Sequence, residues 1–212
     1  MSLLLAIDTA TSRPSLAIGG PGRTVLERAI PDRHDLSCEI EHVTRALLRE
    51  AGAAPRVIAG LIVADGPGSF TGLRIGVAFA KGLCRALGVP MTTIPSMLGA
   101  ARAAAADGAP PPVVVEYDAL RGDLYRAAYR FAAASVEVIA APHLVRAGAP
   151  TDVAGAARAT EADASAGALL RVVAVPGAAS VVPDPSSWEP SYGRRAEAEV
   201  RRLQQESSAG RA

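Results

Sequence analysis

The stretch that most limits what this chain can fold into runs from Gly60 to Gly88, GLIVADGPGSFTGLRIGVAFAKGLCRALG. Leu61-Ile62-Val63-Ala64 has the length and composition of a strand buried on both faces. Asp65-Gly66-Pro67-Gly68-Ser69 is a loop of turn formers, and from Thr71 to Leu87 the pattern is helical without a break. Gly88, with Pro90 close behind, stops the helix. The unit reads strand, glycine loop, helix. Gly72, Gly76 and Gly82 lie inside that helix, each costing about 1 kcal/mol relative to alanine. Packing must offset the cost, because propensity cannot. Gly72, Gly76 and Ala80 fall at i, i+4 and i+8, a smooth stripe along which another backbone could run. Leu73, Val77, Ala80, Cys84 and Leu87 form one apolar face, and Ile75, Phe79, Leu83 and Ala86 cover much of another. Arg74, Lys81 and Arg85 are the only polar seam. A helix this apolar is buried on more than one side. Either its own domain supplies every side, or one side belongs to another protein; the pattern leaves both open.

The glycine loop invites a phosphate-binding reading, and the spacing tests it. A P-loop needs G-x-x-x-x-G-K-[ST]. Here five residues separate Gly66 from Gly72, and Leu73-Arg74 stand where Lys and Ser or Thr are required. The dinucleotide pattern G-x-G-x-x-G also fails, because Gly72 arrives one place late. Backbone amides near Phe70, Thr71 and Gly72 remain able to hold an anion at the helix start. The rival reading is a purely structural turn. Asp8-Thr9-Ala10-Thr11-Ser12, at the end of an apolar run Leu3–Ile7, has the make-up of the first phosphate loop of actin-like ATPases. It lacks the glycine that lets amides approach a phosphate. Asp8, Thr9, Thr11, Gly66, Gly68 and Ser69 are therefore candidate nucleotide-binding residues, against the simpler reading of loops that hold strand ends.

In chain order, Leu3–Ile7, Ser15–Ile18 and Thr24–Ile30 read as strands whose short links make an antiparallel meander. Asp35–Ala51 reads as a helix with Leu36, Ile40, Val43, Leu47 and Ala51 on one face. After the central unit come a strand at Met91–Ile94 and an alanine-rich helix to about Ala106. The order β-β-β-α-β-α-β-α is the layout of one half of the actin, Hsp70 and sugar-kinase fold. Gly108-Ala109-Pro110-Pro111-Pro112 is the best linker candidate. Beyond it, Val113–Tyr117 and Leu124–Phe131 flank a hairpin turn, and Val136–Ile139 continues the sheet. A weak helix is expected near Asp152–Arg158, a strand at Leu169–Val175, a loop over residues 176–190 and a charged helix at Arg194–Gln205.

The whole-chain balance removes several function classes. Of the 212 residues half are hydrophobic but only 4% aromatic, so the core must be built from Ala, Val, Leu and Ile, which favours α/β packing. A formal net charge of +1 supplies no basic field for autonomous RNA or DNA binding. His34, His42 and His143 form no metal-ligand spacing, and no metal site is expected. Cys38 and Cys84, two cysteines in expected helices, imply a reducing compartment rather than a disulfide framework. The N-terminus lacks a signal-peptide pattern and no apolar run approaches 18 residues, so the expectation is a cytoplasmic protein away from membranes.

Together LLAIDTATS, His34, GPGSFTGLRIGVAFAKGL, DALRGDLY and the Pro190-Ser191-Tyr192 tail before an Arg-rich helix resemble the TsaB family. That family is the bacterial accessory group for threonylcarbamoyladenosine synthesis on tRNA. The match is strong over residues 1–106, fair over 112–131 and weak over 147–188, where this chain looks shorter. The resemblance implies an α/β, actin-like, Hsp70-like and sugar-kinase (ASKHA) fold, ribonuclease H-like, in two lobes. Residues 1–108 would form the lobe with the partner-binding helices and 112–190 a smaller lobe, with the helix of 191–212 packing back on the first. It further implies a non-catalytic scaffold that binds the catalytic subunit TsaD, joins the ATPase TsaE, and forms homodimers through the same surface. The complex would modify the adenosine beside the anticodon of tRNAs reading ANN codons. No cofactor of its own is implied, though ATP or ADP could sit at the partner interface.

On that reading Leu36, Ile40, Val43 and Leu47, with Gly72, Leu73, Arg74, Gly76, Val77, Ala80, Lys81 and Cys84, would form the docking helices. A leucine at Gly76 would block docking and leave the fold intact. Three rivals stand beside it: an ATP-binding ATPase or small-molecule kinase of the same fold; a metallopeptidase-like protein, disfavoured by the absent ligand pairs; and direct tRNA binding by the chain alone.

Overall fold

The structure, a computed structural model, describes residues 3–20, 23–31, 35–106, 112–132, 135–190 and 192. A first sheet is assembled from β1 (Leu3–Asp8), β2 (Ser15–Gly20), β3 (Arg23–Ala29), β4 (Ile58–Ala64) and β5 (Met91–Ile94). β1, β2 and β3 are antiparallel neighbours, whereas β4 pairs parallel with β1 and β5 parallel with β4. The links decide this. Links of only a few residues separate the first three strands, while α1 (Leu36–Glu50) and α2 (Phe70–Leu87) carry the chain back across the sheet before β4 and β5.

Side chains alternate along these strands and sort by size. Leu5, Ile7, Leu16, Ile18, Leu61 and Val63 face α1 and α2. Ala6, Ala17, Ile62 and Ala64 face the other way, toward α3 (Ser96–Ala106). The alanines leave room for a close-lying helix, and Ala100 and Ala101 of α3 are fully buried there.

The second sheet contains β6 (Val113–Asp118), β7 (Asp123–Ala132), β8 (Ser135–Arg146) and β9 (Ala157–Thr160), in the order β8-β7-β6-β9. Val113, Val115, Tyr117, Tyr125, Ala127 and Tyr129 join the same apolar core as α3 and α4 (Ala166–Val172). The helices thus lie between two sheets, and one continuous core cements both. The result is the expected two-lobed α/β arrangement, with the meander and parallel strands of the actin-like, ribonuclease H-like class.

Three expectations from the second half need correction. Leu169–Val175 is not a strand: Ala166–Val172 is helical, and the Ser165 hydroxyl caps it by accepting from the Ala168 amide at 3.0 Å. A short apolar run cannot distinguish a buried strand from a buried helix, and here Ala166, Leu169 and Val172 meet the core at helical spacing. The weak helix at 152–158 is absent; turns lead into β9, which pairs parallel with β6 and places Arg158 Nη1 2.9 Å from Glu116 Oε2. The expected loop of 176–190 contains β10 (Ser180–Val182), antiparallel to β5 in the first sheet. Residues 112–190 are therefore not a separate lobe throughout, since α4 and β10 return to the first sheet. The linker at 108–111, His34, Ser191 and the helix expected at 194–205 lie outside the described residues.

The helical glycines of α2 divide by environment. A Cβ on Gly72 would strike the carbonyl oxygen of Thr9, while a Cβ on Gly82 would meet nothing within 4 Å. Gly72→Ala is expected to lower the unfolding free energy by about 1–3 kcal/mol through overpacking. Gly82→Ala should raise it by up to about 1 kcal/mol from helix propensity alone. Urea melts of the two variants check the contrast, and equal effects would contradict it.

Candidate functional site

The residues singled out at the end of β1 and at the start of α2 do come together, but they close on each other. The Ser69 amide donates to the Ala10 carbonyl at 2.6 Å, and a Cβ at Gly68 would collide with that same carbonyl. A Cβ at Gly76 would strike the Thr9 hydroxyl. The Gly72 amide, one of those able to hold an anion, donates instead to the Ser69 hydroxyl at 3.2 Å as an N-cap. The Gly66 carbonyl accepts from the Ser96 amide at 3.0 Å, and Thr11 Oγ1 from the Arg13 amide at 3.3 Å. The space a phosphate would need between the two loops is filled by Thr9 and Ala10.

Asp8 sits at the centre of this junction, almost fully buried. Its Oδ1 accepts from the Ala10 amide at 3.0 Å, and Oδ2 accepts from the Ser96 hydroxyl at 3.1 Å. The Tyr117 hydroxyl donates to the Ser96 carbonyl at 3.1 Å, so the network reaches the second sheet through the first residue of α3. Burial pushes the Asp8 carboxyl up to about 6; the Ala10 and Ser96 hydrogen bonds offset only part of that. Asp65, at the end of β4, is raised to about 6 for the same reason. Burial likewise raises both tyrosine hydroxyls, Tyr117 and Tyr129. The Tyr129 hydroxyl is enclosed without a hydrogen-bond partner among the described residues. Ser96 and Tyr117 were invisible to motif reasoning, because what joins them to Asp8 is a contact across 88 and 21 residues of chain.

The residues expected to meet a partner are placed differently from expectation. Leu36, Ile40, Val43, Leu47, Gly72, Leu73, Gly76, Val77, Ala80 and Cys84 are all buried within the chain's own core. The glycine stripe that seemed open to a second protein is occupied by Thr9, so a leucine at Gly76 would disrupt the fold. What remains outward on α2 is its other apolar face: Ala78, Gly82 and Ala86 are exposed, and Ile75, Phe79 and Leu83 are half-buried. Arg74 and Lys81 serve the chain itself. The Arg74 guanidinium lies 4.2 Å from the Phe70 ring centre and 5.8 Å from that of Tyr192. Lys81 Nζ is 3.4 Å from the Ser186 carbonyl and 3.6 Å from Glu189 Oε1. These contacts hold the segment after β10 along one flank of the helix. Among the described residues, no His, Cys, Asp and Glu cluster could hold a metal ion, and no helix is long and apolar enough to cross a membrane.

The raised carboxyls have a pH consequence. Asp8 and Asp65 titrate near 6 in the folded chain and near 3.8 when unfolded. Their stabilising contribution is full below about 3.8 and is lost as pH rises through 6, on the order of 3 kcal/mol for each. Asp8→Asn is expected to raise stability at pH 8 and to halve the decline that these two groups cause between pH 4 and 7. Urea melts across that range test it, and an unchanged slope would refute it.

Comparison with known proteins agrees with this architecture. The family described as "TsaD: tRNA N6-adenosine threonylcarbamoyltransferase" matches residues 33–172. The "tRNA threonylcarbamoyladenosine biosynthesis protein TsaB" of Bacillus subtilis strain 168 is 32% identical over 129 residues, 60% of this chain and 55% of that protein. The protein of the same name from Escherichia coli K12 is 33% identical over 133 residues, 60% of this chain and 54% of that protein. The chain thus spans about half the length of the curated relatives it matches. A solved structure described as YeaZ from Pseudomonas aeruginosa superposes with a TM-score of 0.75 at 26% identity, covering 91% of this chain and 100% of that one. With a family match over most of its length and TsaB proteins among its relatives, the chain belongs to the TsaD-type threonylcarbamoyltransferase family, and within it to the TsaB group.

Proposed function

We propose that this chain is a non-catalytic accessory subunit for threonylcarbamoyladenosine formation on tRNA, docking on the catalytic subunit TsaD and joining TsaE through that complex. One observation carries the reading: α2 keeps an exposed strip of Ala78, Gly82 and Ala86 beside half-buried Ile75, Phe79 and Leu83. Its opposite face already fills the core, so nothing among the described residues requires the strip to be small and apolar. Small residues let a second helix approach closely and bury the flanking Ile75, Phe79 and Leu83, at roughly 25 cal/mol for each Å² of apolar surface removed from water. The mutual filling of the Asp8–Ser12 and Gly66–Ser69 loops supports a role without nucleotide chemistry of its own. The chain would then shape and activate TsaD, and ATP or ADP would enter at the partner interface.

Gly82→Leu and Ala78→Arg are expected to abolish co-purification with TsaD while leaving the circular dichroism spectrum and melting temperature within a few degrees of wild type. A tRNA-modification assay with TsaD and TsaE should lose activity with either variant. Retained co-purification would remove α2 from the interface. Calorimetry with ATP and magnesium on the isolated chain is expected to show no binding; tight binding with turnover would favour the kinase reading instead.

A further inference from the structure

The loops around Asp8 leave one set of amide donors unexplained by either sheet or helix. In the loop after β1, the Ser12 amide donates to Glu161 Oε2 at 3.4 Å. At the end of β6, in the other sheet, the Asp118 amide donates to Glu161 Oε1 at 2.9 Å. One carboxylate therefore takes one backbone amide on each oxygen, from loops at the ends of two strands that share no sheet.

Glu161 is held in place to do this. It opens a 3-10 turn, Glu161–Asp163, closed by a reciprocal capping box. Thr160 Oγ1 accepts from the Ala162 amide at 3.3 Å, and Asp163 Oδ2 accepts from the Thr160 amide at 2.7 Å. The loop on the β6 side is equally fixed. Asp118 Oδ1 accepts from the Leu120 amide at 2.7 Å, and Leu120, Arg121 and Gly122 are left-handed in succession, at φ 62°, 59° and 78°. Backbone amides that converge from fixed loops can hold an oxyanion, because fixed donors need no reorganisation when charge arrives.

We propose that Glu161 is the resident anion of an oxyanion site built across the two sheets, and that its carboxylate keeps phosphate-type ligands out of that site. A tethered carboxylate competes at an effective concentration in the millimolar range or above, so a free oxyanion must displace a local charge that never leaves. The inference stands apart from the proposed docking on TsaD: it concerns the cleft side of the loops, and α2 takes no part in it.

The test is titration of inorganic phosphate into the ¹⁵N-labelled full chain, reading the Ser12 and Asp118 amide resonances. Wild type is expected to show no saturable shift at millimolar phosphate. Glu161→Ala should show saturable shifts at both amides, with an affinity about ten-fold or more above any wild-type response. Glu161→Gln keeps the side-chain volume while removing the charge, and is expected to fall between the two; it carries the test where the alanine variant loses its dispersed spectrum. Saturation of the wild type at these same amides would overturn the proposal. So would the absence of a gain in the folded variants, or shifts confined to other residues.

Discussion

Everything else in the molecule is arranged around the contact between the end of β1 and the first two turns of α2. Thr9 and Ala10 lie so close to Gly68, Gly72 and Gly76 that no larger residue fits at any of the three. Helix propensity argues against the last two glycines by about 1 kcal/mol each. Close packing wins because it lets α2 settle onto β1 and β4, burying Leu73 and Val77 in the core. Fully burying side chains of that size is worth roughly 1.5–3 kcal/mol apiece. The arrangement also decides what the loops do chemically. The Ser69 and Gly72 amides, donors of the kind that cradle a phosphate, are used to bind the chain to itself.

Charge is handled in two ways across the same junction. Asp8 is enclosed, satisfied by the Ala10 amide and the Ser96 hydroxyl, yet desolvation still outweighs those bonds and raises its carboxyl to about 6. Glu161 lies nearer solvent and bridges two amides from opposite sheets. One carboxylate therefore stitches the strand end to α3, while the other spans the mouth between the sheets. The apolar core shared by α3, α4 and both sheets carries the weight of holding the lobes together. Exposed ion pairs such as Arg28–Glu50, with both side chains about half accessible, add little to that.

The two apolar faces of α2 have different employers. One is consumed by the sheet and by Thr9; the other is left outward and small, at Ala78, Gly82 and Ala86. The sequence displayed both faces but did not say which was which, and the buried stripe at Gly72 and Gly76 was assigned to a partner. The reason is physical: a glycine required by a neighbouring strand and a glycine tolerated at an open surface look identical until the strand is in place.

Much of the first 106 residues was legible because the information there is local. The meander follows from its short turns, the parallel strands from the intervening helices, and the end of α2 from Gly88, whose left-handed backbone closes it. The family was legible from the same stretch. In the second half the local signals are weak, and long-range pairing decides. Ala157–Thr160 becomes a strand because β6 is beside it, Ser180–Val182 because β5 has a free edge, and Leu169–Val172 a helix because Ser165 caps it against the core. The site followed the same division. Sequence alone put Asp8, Thr9 and the glycine loop on the page, since strand-end loops are short-range features. Only the tertiary structure brought in Ser96, Tyr117 and Glu161 and closed the glycine loop on Ala10, because which groups satisfy a buried amide or carboxylate depends on what the fold lays against it.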